Sequence, residues 1–335
     1  MTEARSATHL SAAPERLLDG DGVPRFGLYA GAIADAGLAA LKDAPGLVQR
    51  RLMEKRWQYV FVATPEMMLA LAVIDAGYLS SGICAVFDRG SRRLLVDENP
   101  VLPPLCAQVG DSPGKGLSAR LFGPRIEARV ERTSKNISVK AKWVHAQVDL
   151  VLELGRAPPP ISAVAPVGVE GRFDFTQKTV LVPAEGEVRS ANVRFPVRGQ
   201  LAGLDYTHGL LARDTAWRWA FGCGRSGSRE AGFNFSEGFL QGEGENAVWL
   251  DGEPRAVGPV SFTFDPASPM GPWRIRSQDG RVDLAFQPEG FRAQAVDLKL
   301  VLSRYLQPFG TFTGVLDGVR IDGLPGVTED HTARW

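Results

Sequence analysis

One short run of the chain, from Gly203 to Gly209, contains several side chains that can move protons. Asp205, Tyr206 and His208 lie within it, although the whole chain has only 4 histidines. Carboxylates, phenols and imidazoles are the side chains that transfer protons most often in active sites. We therefore predict acid–base chemistry at this point, with these three residues as catalytic candidates.

The conformation of this run decides which of its side chains can act together. In an extended strand, Tyr206 and His208 share one face, while Asp205 and Thr207 share the other. A turn at one of the flanking glycines would let all of them converge. The alternative without catalysis is a turn in which Asp205 bonds the backbone and His208 is a buried, hydrogen-bonded ring.

Two tryptophans follow at alternate positions. In residues 215–220 the alternation puts Trp217 and Trp219 on one side of a strand and Arg218 on the other. An aromatic wall beside a polar cluster is typical of a pocket for a mostly apolar ligand. An ordinary buried polar network would have the same composition. We predict that the two tryptophans bind the ligand.

A glycine-rich connection further along carries the carboxylates Glu237, Glu243 and Glu245. Neighbouring carboxylates raise one another's pKa, and a raised pKa keeps a general acid protonated at neutral pH. A solvated acidic loop is the alternative, and it is the one that we expect for Glu243. Glu237 and Glu245 are predicted to bind ligand, together with Asn246 and Trp249.

The C-terminal end carries a third group of ionisable residues. Glu329, Asp330 and His331 precede the final Trp335. Chain ends usually fray and have no reason to hold such groups together. A segment that folds back onto the core would explain them, so Glu329 and His331 are catalytic candidates. Simple surface polarity followed by a packed tryptophan is the alternative.

The sequence does not have the spacing of a metal site. The histidines could join nearby carboxylates in a mixed nitrogen and oxygen site. However, no HxH, HxxxH or HExxH pattern fixes two ligands on one element. The three cysteines, Cys84, Cys106 and Cys223, show no CxxC spacing that would indicate zinc or a disulfide framework. We expect neither a metal nor another cofactor.

The composition of the 335-residue chain argues against several classes of protein. Its 38 lysines and arginines balance its 38 aspartates and glutamates, so no net field attracts nucleic acid or an anionic membrane. Hydrophobic residues make up 44% and charged residues 23%, as in a soluble globular protein. No apolar run has the length of a signal peptide or a transmembrane helix. We therefore predict a cytoplasmic protein whose partner is a hydrophobic small molecule.

Short strands must position the candidate residues. From Trp57 onward, runs of β-branched and aromatic residues alternate with turn residues, which predicts antiparallel sheets in barrel or sandwich form. Between Ala32 and Lys55 an Ala- and Leu-rich stretch, interrupted by Pro45, predicts a short helix, a break and a further helical turn or two. The proline run at 158–160 indicates a seam.

The same reading divides the chain into three parts. We predict an N-terminal extension with a short helix over residues 1–55, a first β-domain over 56–190 and a second over 191–335.

Several motifs resemble those of a bacterial family known only as a domain of unknown function. They are Asp205-Tyr206-Thr207-His208-Gly209, Thr215-x-Trp217-x-Trp219-Ala220, Gly232-x-Asn234-x-x-x-Gly238-Phe239, Glu245-Asn246, Trp249-x-Asp251-Gly252, Gln307-x-Phe309-Gly310 and Thr328-Glu329-Asp330-His331.

More distantly, the chain is similar to the lipocalin-like group of carotenoid 1,2-hydratase, tocopherol cyclase and fungal cyclases of polyene substrates. That resemblance implies two lipocalin-like β-domains with a ligand pocket and chemistry without a metal. It favours a hydratase, isomerase or cyclase of an isoprenoid or lipid-like molecule, with Asp205 or Glu329 as the acid and His208 or Tyr206 as its partner. A carrier that binds such a molecule without reaction is the first alternative. The second is a protein-interaction scaffold, which would have no connected pocket near His208.

Overall fold

The computed structural model contains two large β-sheets and very little helix. It describes residues 10–114, 116, 118–190, 193–242, 244–297 and 302–335. Strands account for 65% of the structure and helices for 3%, which confirms the predicted all-β class. In this part of the chain, no helix is long and apolar enough to cross a membrane.

The first sheet has fifteen strands in the described residues. They are β1 (Ser11–Ala12), β2 (Gly27–Ala30), β3 (Glu54–Ala63), β4 (Met67–Asp75), β5 (Ser80–Asp88), β6 (Arg93–Glu98), β7 (Val101–Leu102), β8 (Ala107–Val109), β9 (Ser118–Gly123), β10 (Ile126–Arg132), β11 (Asn136–Lys142), β12 (Ala146–Glu153), β13 (Ile161–Pro166), β14 (Phe173–Ser190) and β15 (Val193–Leu210). Their main order is β6-β5-β4-β3-β15-β14-β12-β11-β10-β9-β8, and β8 also approaches β4, so the sheet curls into a half-barrel. The pairing is antiparallel except between β1 and β2.

The second sheet has nine strands in the described residues. They are β16 (Asp214–Ser226), β17 (Arg229–Glu237), β18 (Ala247–Leu250), β19 (Glu253–Ala256), β20 (Val260–Thr263), β21 (Trp273–Ser277), β22 (Val282–Asp297), β23 (Leu302–Leu316) and β24 (Val319–Arg334). Their order is β19-β18-β17-β16-β24-β23-β22-β21-β20, and β17 also approaches β20. The C-terminal segment is therefore a central strand, paired with β16 and β23, and it is folded back onto the core.

The helical segment is shorter than predicted. The α-helix α1 (Leu47–Met53) follows Pro45 and Gly46, and a single 3-10 turn spans Leu154–Arg156. The helix expected between Ala32 and Pro45 is absent, so that prediction is wrong. Its backbone bonds go elsewhere, because the Ala36 N–H donates to the carbonyl of Asp111 at 2.7 Å. Packing against the first sheet overrides the helix propensity of this stretch.

Three apolar layers hold the molecule together. One lies inside the curl of the first sheet and includes Val60, Phe175 and Tyr206. Another lies inside the curl of the second sheet, where Phe233 and Phe312 are buried. The third lies between the two sheets, because the central strands of each sheet alternate large apolar residues on both faces. The outer faces of the two sheets are therefore buried against each other.

Aromatic pairs from β3 and β16 join the sheets. Tyr59 contacts Trp219 edge to face with ring centroids 5.5 Å apart, and Phe61 contacts Phe221 at 6.2 Å. Gly203 on β15 permits this approach, because a β-carbon at that position would lie 2.2 Å from the Phe221 ring. Such aromatic pairs contribute about 1 kcal/mol each beyond the area that they bury.

The chain passes from the first sheet to the second between Leu210 and Asp214. This crossing lies downstream of the predicted boundary between 190 and 191, since β15 pairs with β14 and β3 in the first sheet. The division into three domains stays a prediction, and residues 1–9 of the predicted extension lie outside the described residues. The carbonyl of Pro159, in the proline run, accepts a hydrogen bond from Nε1 of Trp249 of the second sheet at 2.8 Å.

Candidate functional site

A cavity of about 220 Å³ lies between the two sheets. Strands β3, β4, β5, β14 and β15 supply its wall on one side, and β16, β17, β22, β23 and β24 supply it on the other. Both sheets therefore contribute to one pocket. Most of the wall is apolar and aromatic, and a small number of ionisable side chains project from it.

Asp205 is the centre of the wall that the first sheet contributes. Its Oδ1 lies 2.6 Å from Nζ of Lys178, and its Oδ2 accepts a hydrogen bond from Nε1 of Trp57 at 3.2 Å. Thr176 also donates to Oδ1, at 3.3 Å. These partners reach Asp205 because β14 and β3 are its two neighbouring strands, in register opposite β15. Asp205 is therefore a buried carboxylate with a cation at its side.

Lys178 links this carboxylate to a second one. Its Nζ also lies 3.1 Å from Oε2 of Glu245, and it approaches the ring of Trp219 to 5.7 Å from the centroid. Burial alone would lower the pKa of the Lys178 ammonium, but Asp205 and Glu245 more than offset this and raise the pKa above its usual value. Lys178 is therefore a permanent buried cation shared by two carboxylates.

Glu329 is the centre of the opposite wall, and its partners are uncharged. Nε1 of Trp217 donates to its Oε1 at 2.7 Å, and Nε2 of Gln307 donates to its Oε2 at 3.1 Å. Burial raises the pKa of Glu329 to about 7, although hydrogen bonds from Trp217 and Tyr305 and the charge of Arg292 act in the other direction. Glu329 can thus lose and recover a proton near neutral pH.

His331 lies beside Glu329 on the same face of β24. Burial lowers the pKa of its imidazole to about 3, so the ring is neutral at physiological pH. Its Nε2 is 3.0 Å from Oγ of Ser303, and its Nδ1 is 3.9 Å from Oε1 of Glu329. The ring also contacts Trp217 edge to face at 4.3 Å. The structure therefore brings Glu329, His331 and Trp217 together, as a group at the cavity wall.

The two walls repeat one pattern. An aromatic residue occupies every second position of the facing strands, with Trp57, Tyr59 and Phe61 on β3 and Trp217, Trp219 and Phe221 on β16. Asp205 lies opposite Tyr59 in its sheet, and Glu329 lies opposite Trp219 in the other. Trp57 and Trp217, the two residues that donate to these carboxyl groups, stack at 6.4 Å. We call the two arrangements the Asp205 half-site and the Glu329 half-site.

Tyr206 and His208 lie on the other face of β15, away from the cavity. The Tyr206 hydroxyl donates to the carbonyl of Gly110 at 3.0 Å, and Nε2 of His208 is 2.7 Å from Oε1 of Glu54. Burial lowers the pKa of His208, even though the hydrogen bond with Glu54 acts in the other direction. The run is an extended strand, so alternation separates these two side chains from Asp205. They do not contact the cavity in which Asp205 and Glu329 face each other.

The other predicted ligand-binding residues divide in the same way. Trp217, Trp219 and Glu245 line the cavity. Three others are not part of the cavity wall. Glu237 forms an ion pair with Arg218 at 3.0 Å, and Asn246 accepts from the N–H of Ser236 at 2.8 Å. The ring of Trp249 is buried in the layer between the sheets, and its Nε1 donates to the carbonyl of Pro159. Glu243 lies outside the described residues.

Several residues of the cavity escaped the prediction. They are Trp57, Tyr59, Asp174, Thr176, Lys178 and Tyr305. Gln307, which donates to Glu329, was also missed. Two sequence signals were present for them. The aromatic alternation of β3 matches that of β16, and Asp174, Thr176 and Lys178 stand at every second position in the first part of β14. Neither signal shows which strands pair with each other, because the pairing of β14 with β15 is decided by the tertiary structure.

The residues present do not point to a resident metal. Among the residues that the structure describes, no group of three or more His, Cys, Asp or Glu side chains is arranged to hold a metal ion. Two carboxylates of the cavity wall, Asp205 and Glu245, share the ammonium of Lys178 instead.

A family model for a domain of unknown function, DUF2804, matches residues 8–335. The chain therefore belongs to the DUF2804 family. A search of curated proteins finds no match.

Solved structures share the fold at low sequence identity. CghA in complex with Sch210972 is 11% identical with a TM-score of 0.56, covering 96% of this chain and 97% of that one. A putative AttH from Nitrosomonas europaea is 13% identical with a TM-score of 0.50, covering 84% and 92%. Kievitone hydratase from Nectria haematococca is 8% identical with a TM-score of 0.50, covering 85% and 90%. The chain is thus similar in fold to a hydratase.

Proposed function

We propose that this protein is a hydratase, isomerase or cyclase that acts on a hydrophobic small molecule by acid–base chemistry and needs no cofactor. One observation carries the proposal: Glu329 has a pKa of about 7 and lies in an aromatic cavity opposite a second carboxyl group. A general acid is most effective when its pKa lies near the working pH. The fold that it shares with kievitone hydratase adds support, since that protein is named as a hydratase.

The first step is transfer of the Glu329 proton to a carbon–carbon double bond. The π electron pair of the double bond forms the new C–H bond, and the neighbouring carbon becomes a cation. Trp217 and Gln307 already donate hydrogen bonds to Glu329, so they stabilise the carboxylate that the transfer leaves behind. This arrangement needs no movement of the protein at the moment of reaction.

The cavity wall then stabilises the cation. The rings of Trp57, Trp217 and Trp219 present π faces, which attract positive charge in a desolvated site. The carboxylate of Asp205 adds a negative charge, and its ion pair with Lys178 keeps it in place. A water molecule that adds to the cation gives hydration, loss of a neighbouring proton gives isomerisation, and attack by a second double bond closes a ring. In each case the proton that is released returns to Glu329.

A carrier without catalytic activity is the second candidate. The aromatic cavity favours it, because such a wall binds apolar molecules whether or not they react. In a carrier, Asp205 and Glu329 serve only as hydrogen-bonding groups of a buried network. The two candidates differ in what a substitution of Glu329 does.

The test begins with the compound that the protein retains. Purification from the native host, or from a close relative, followed by mass spectrometry of an organic extract identifies it, and Trp217→Ala should lose it. Incubation of that compound with wild-type protein should give a product whose mass is higher by one water or unchanged. Glu329→Gln should bind the compound and fail to convert it, with a loss of at least about a hundredfold in rate.

The control variant is Glu237→Gln, which removes a carboxylate that lies outside the cavity. It should bind and convert the compound like the wild type. Binding without conversion by the wild type would refute the enzyme and leave the carrier. Equal turnover by Glu329→Gln would show that another group supplies the proton.

A further inference from the structure

Asp174 is a carboxyl group of the cavity wall that the proton transfer does not use. It lies on β14 on the same face as Thr176 and Lys178, and its side chain is completely buried. Its partner in the register is Gly209 of β15, where a β-carbon would lie 2.3 Å from Oδ1 of Asp174. The glycine thus leaves the space that the carboxyl group occupies.

Neither carboxyl oxygen of Asp174 has a hydrogen-bond partner within the described protein. The same is true of the hydroxyl of Thr207, which is 1% exposed and lies on the neighbouring strand on the same face. Both side chains line the cavity. A buried polar group without a partner is destabilising, so two in one wall indicate a ligand that satisfies them.

The surrounding charges decide what kind of ligand fits. Lys178 is already shared by Asp205 and Glu245, so a third ionised carboxylate would have no cation of its own. Burial, with the charge of Glu245 next, raises the pKa of Asp174 well above its ordinary value. A protonated Asp174 has one O–H to donate and one carbonyl oxygen to accept, and Thr207 offers the same pair of functions.

We propose that Asp174 and Thr207 form a hydrogen-bonding subsite that holds an uncharged oxygen group, a hydroxyl or a carbonyl, at one end of the substrate. This inference rests on the proposed function and names its substrate class. The substrate is an apolar molecule with one oxygenated end. Glu329, on the opposite sheet, acts on the hydrocarbon part, and the subsite fixes which double bond faces it.

The test uses four ten-carbon isoprenoid probes that differ in their polar end: myrcene, geraniol, geranial and geranylamine. Binding is followed through intrinsic tryptophan fluorescence, since four of the 7 tryptophans, Trp57, Trp217, Trp219 and Trp335, line the cavity. Wild-type protein should bind geraniol and geranial about tenfold more tightly than myrcene, the ratio expected for one or two well-made hydrogen bonds. Geranylamine should bind no better than myrcene.

Substitutions assign the preference to the subsite. Asp174→Ala and Thr207→Val should each reduce the preference for geraniol over myrcene by at least threefold and leave myrcene affinity within twofold. Asp174→Asn should keep most of the preference, because its amide also donates and accepts. Asp149→Ala, which removes an exposed aspartate on β12, is the control and should match the wild type. If Asp174→Ala does not fold, Thr207→Val carries the test.

The outcomes separate this inference from the proposed function. Equal affinity for all four probes, or an unchanged preference in both Asp174→Ala and Thr207→Val, would overturn the subsite and leave a general hydrophobic cavity. Tightest binding of geranylamine would also overturn it, because Asp174 would then be an ionised partner of a cation. Failure of every probe to bind the folded wild-type protein would count against both proposals.

Discussion

The Asp205 and Glu329 half-sites have the same construction, but only the Asp205 half-site contains a cation. In each, a carboxyl group lies on a central strand, a tryptophan from the adjacent strand donates to it, and a residue of the strand on its other side supplies a further contact. That third contact is the ammonium of Lys178 in one half and the amide of Gln307 in the other. A single difference of residue type therefore gives an ion pair in one wall and a protonatable acid in the other.

This comparison explains how one cavity can hold both an acid and an anion. Two carboxyl groups in a desolvated space favour a state in which only one is charged. The buried cation beside Asp205 determines which one that is. Glu329 has uncharged hydrogen-bond partners instead, and burial raises its pKa to about 7.

The largest effect on the difference between the two half-sites is expected from removal of the buried cation, Lys178. Lys178→Met should lower the free energy of unfolding at pH 7 by about 3–5 kcal/mol, because Asp205 and Glu245 remain buried without their partner. Urea unfolding followed by circular dichroism measures the loss. Lys140→Met, which removes an exposed lysine on β11, is the matched control and should change little. A loss below about 1 kcal/mol for Lys178→Met would show that the ion pair does not hold the half-site together.

Substitution of Glu329 tests the other half through the pH dependence of stability. Its folded pKa is raised from 4.5 to about 7, so its contribution to stability is full below about pH 4.5 and is lost as the pH rises through 7. At about 1.4 kcal/mol for each pH unit, the loss approaches about 3 kcal/mol. Glu329→Gln has no such loss, so its stability relative to the wild type should increase between pH 5 and pH 8.

Urea unfolding of both proteins at each pH measures this difference. Glu237→Gln is the control, since its carboxylate is half-exposed and outside the cavity. A difference between Glu329→Gln and the wild type that does not change with pH would show that Glu329 has an ordinary acid strength. In the enzyme, the same titration predicts that turnover falls as the pH rises above about 7.

Conversion of the Glu329 half-site into a copy of the Asp205 half-site tests whether the third contact sets the charge of the carboxyl group. Gln307→Lys places an ammonium beside Glu329 and should lower its pKa by about 1–3 units. The pH-dependent loss of stability should then shrink by about 1–3 kcal/mol, and turnover at pH 7 should fall because the acid is ionised. Gln287→Lys, on the exposed face of β22, is the control. An unchanged pH dependence would mean that the third contact does not set the charge of the carboxyl group.

The smallest effect is expected from the two tryptophan donors. Trp57→Phe and Trp217→Phe each remove one N–H that donates to a carboxyl group and should lower stability by about 1–2 kcal/mol. The two should differ with pH. Loss of the Trp57 donor should cost the same at pH 6 and pH 8, whereas loss of the Trp217 donor should cost more at pH 8, where Glu329 is more often ionised. Identical profiles in thermal unfolding would contradict the assignment of charge to the two half-sites.

Much of the fold could be predicted from local sequence. The alternation of apolar residues and the turn residues between them located most strands, because both signals act over a few residues. The stretch from Ala32 to Pro45 was predicted wrongly as a helix, since its bonds to Asp111 and Ser162 come from distant parts of the chain. Local propensity has no information about such partners.

The candidate site shows the same limit. Asp205, Glu329, His331, Trp217, Trp219 and Glu245 all line the cavity and were all candidates by residue type. Tyr206 and His208 were candidates for the same reason, but an extended strand turns them to the other face. The alternation itself could be stated from the sequence, whereas the choice between strand and turn could not.

The set of side chains able to do acid–base chemistry follows from the residue types in the sequence. The all-β class follows from the alternation of apolar and polar residues, which involves only neighbours along the chain. The tertiary structure alone decided that β14 pairs with β15 and that β3 faces β16. Those two contacts place Lys178 beside Asp205 and leave Glu329 with Gln307. The charge of each carboxyl group follows from these distant partners, since a pKa depends on the burial and the charges that surround a group in space.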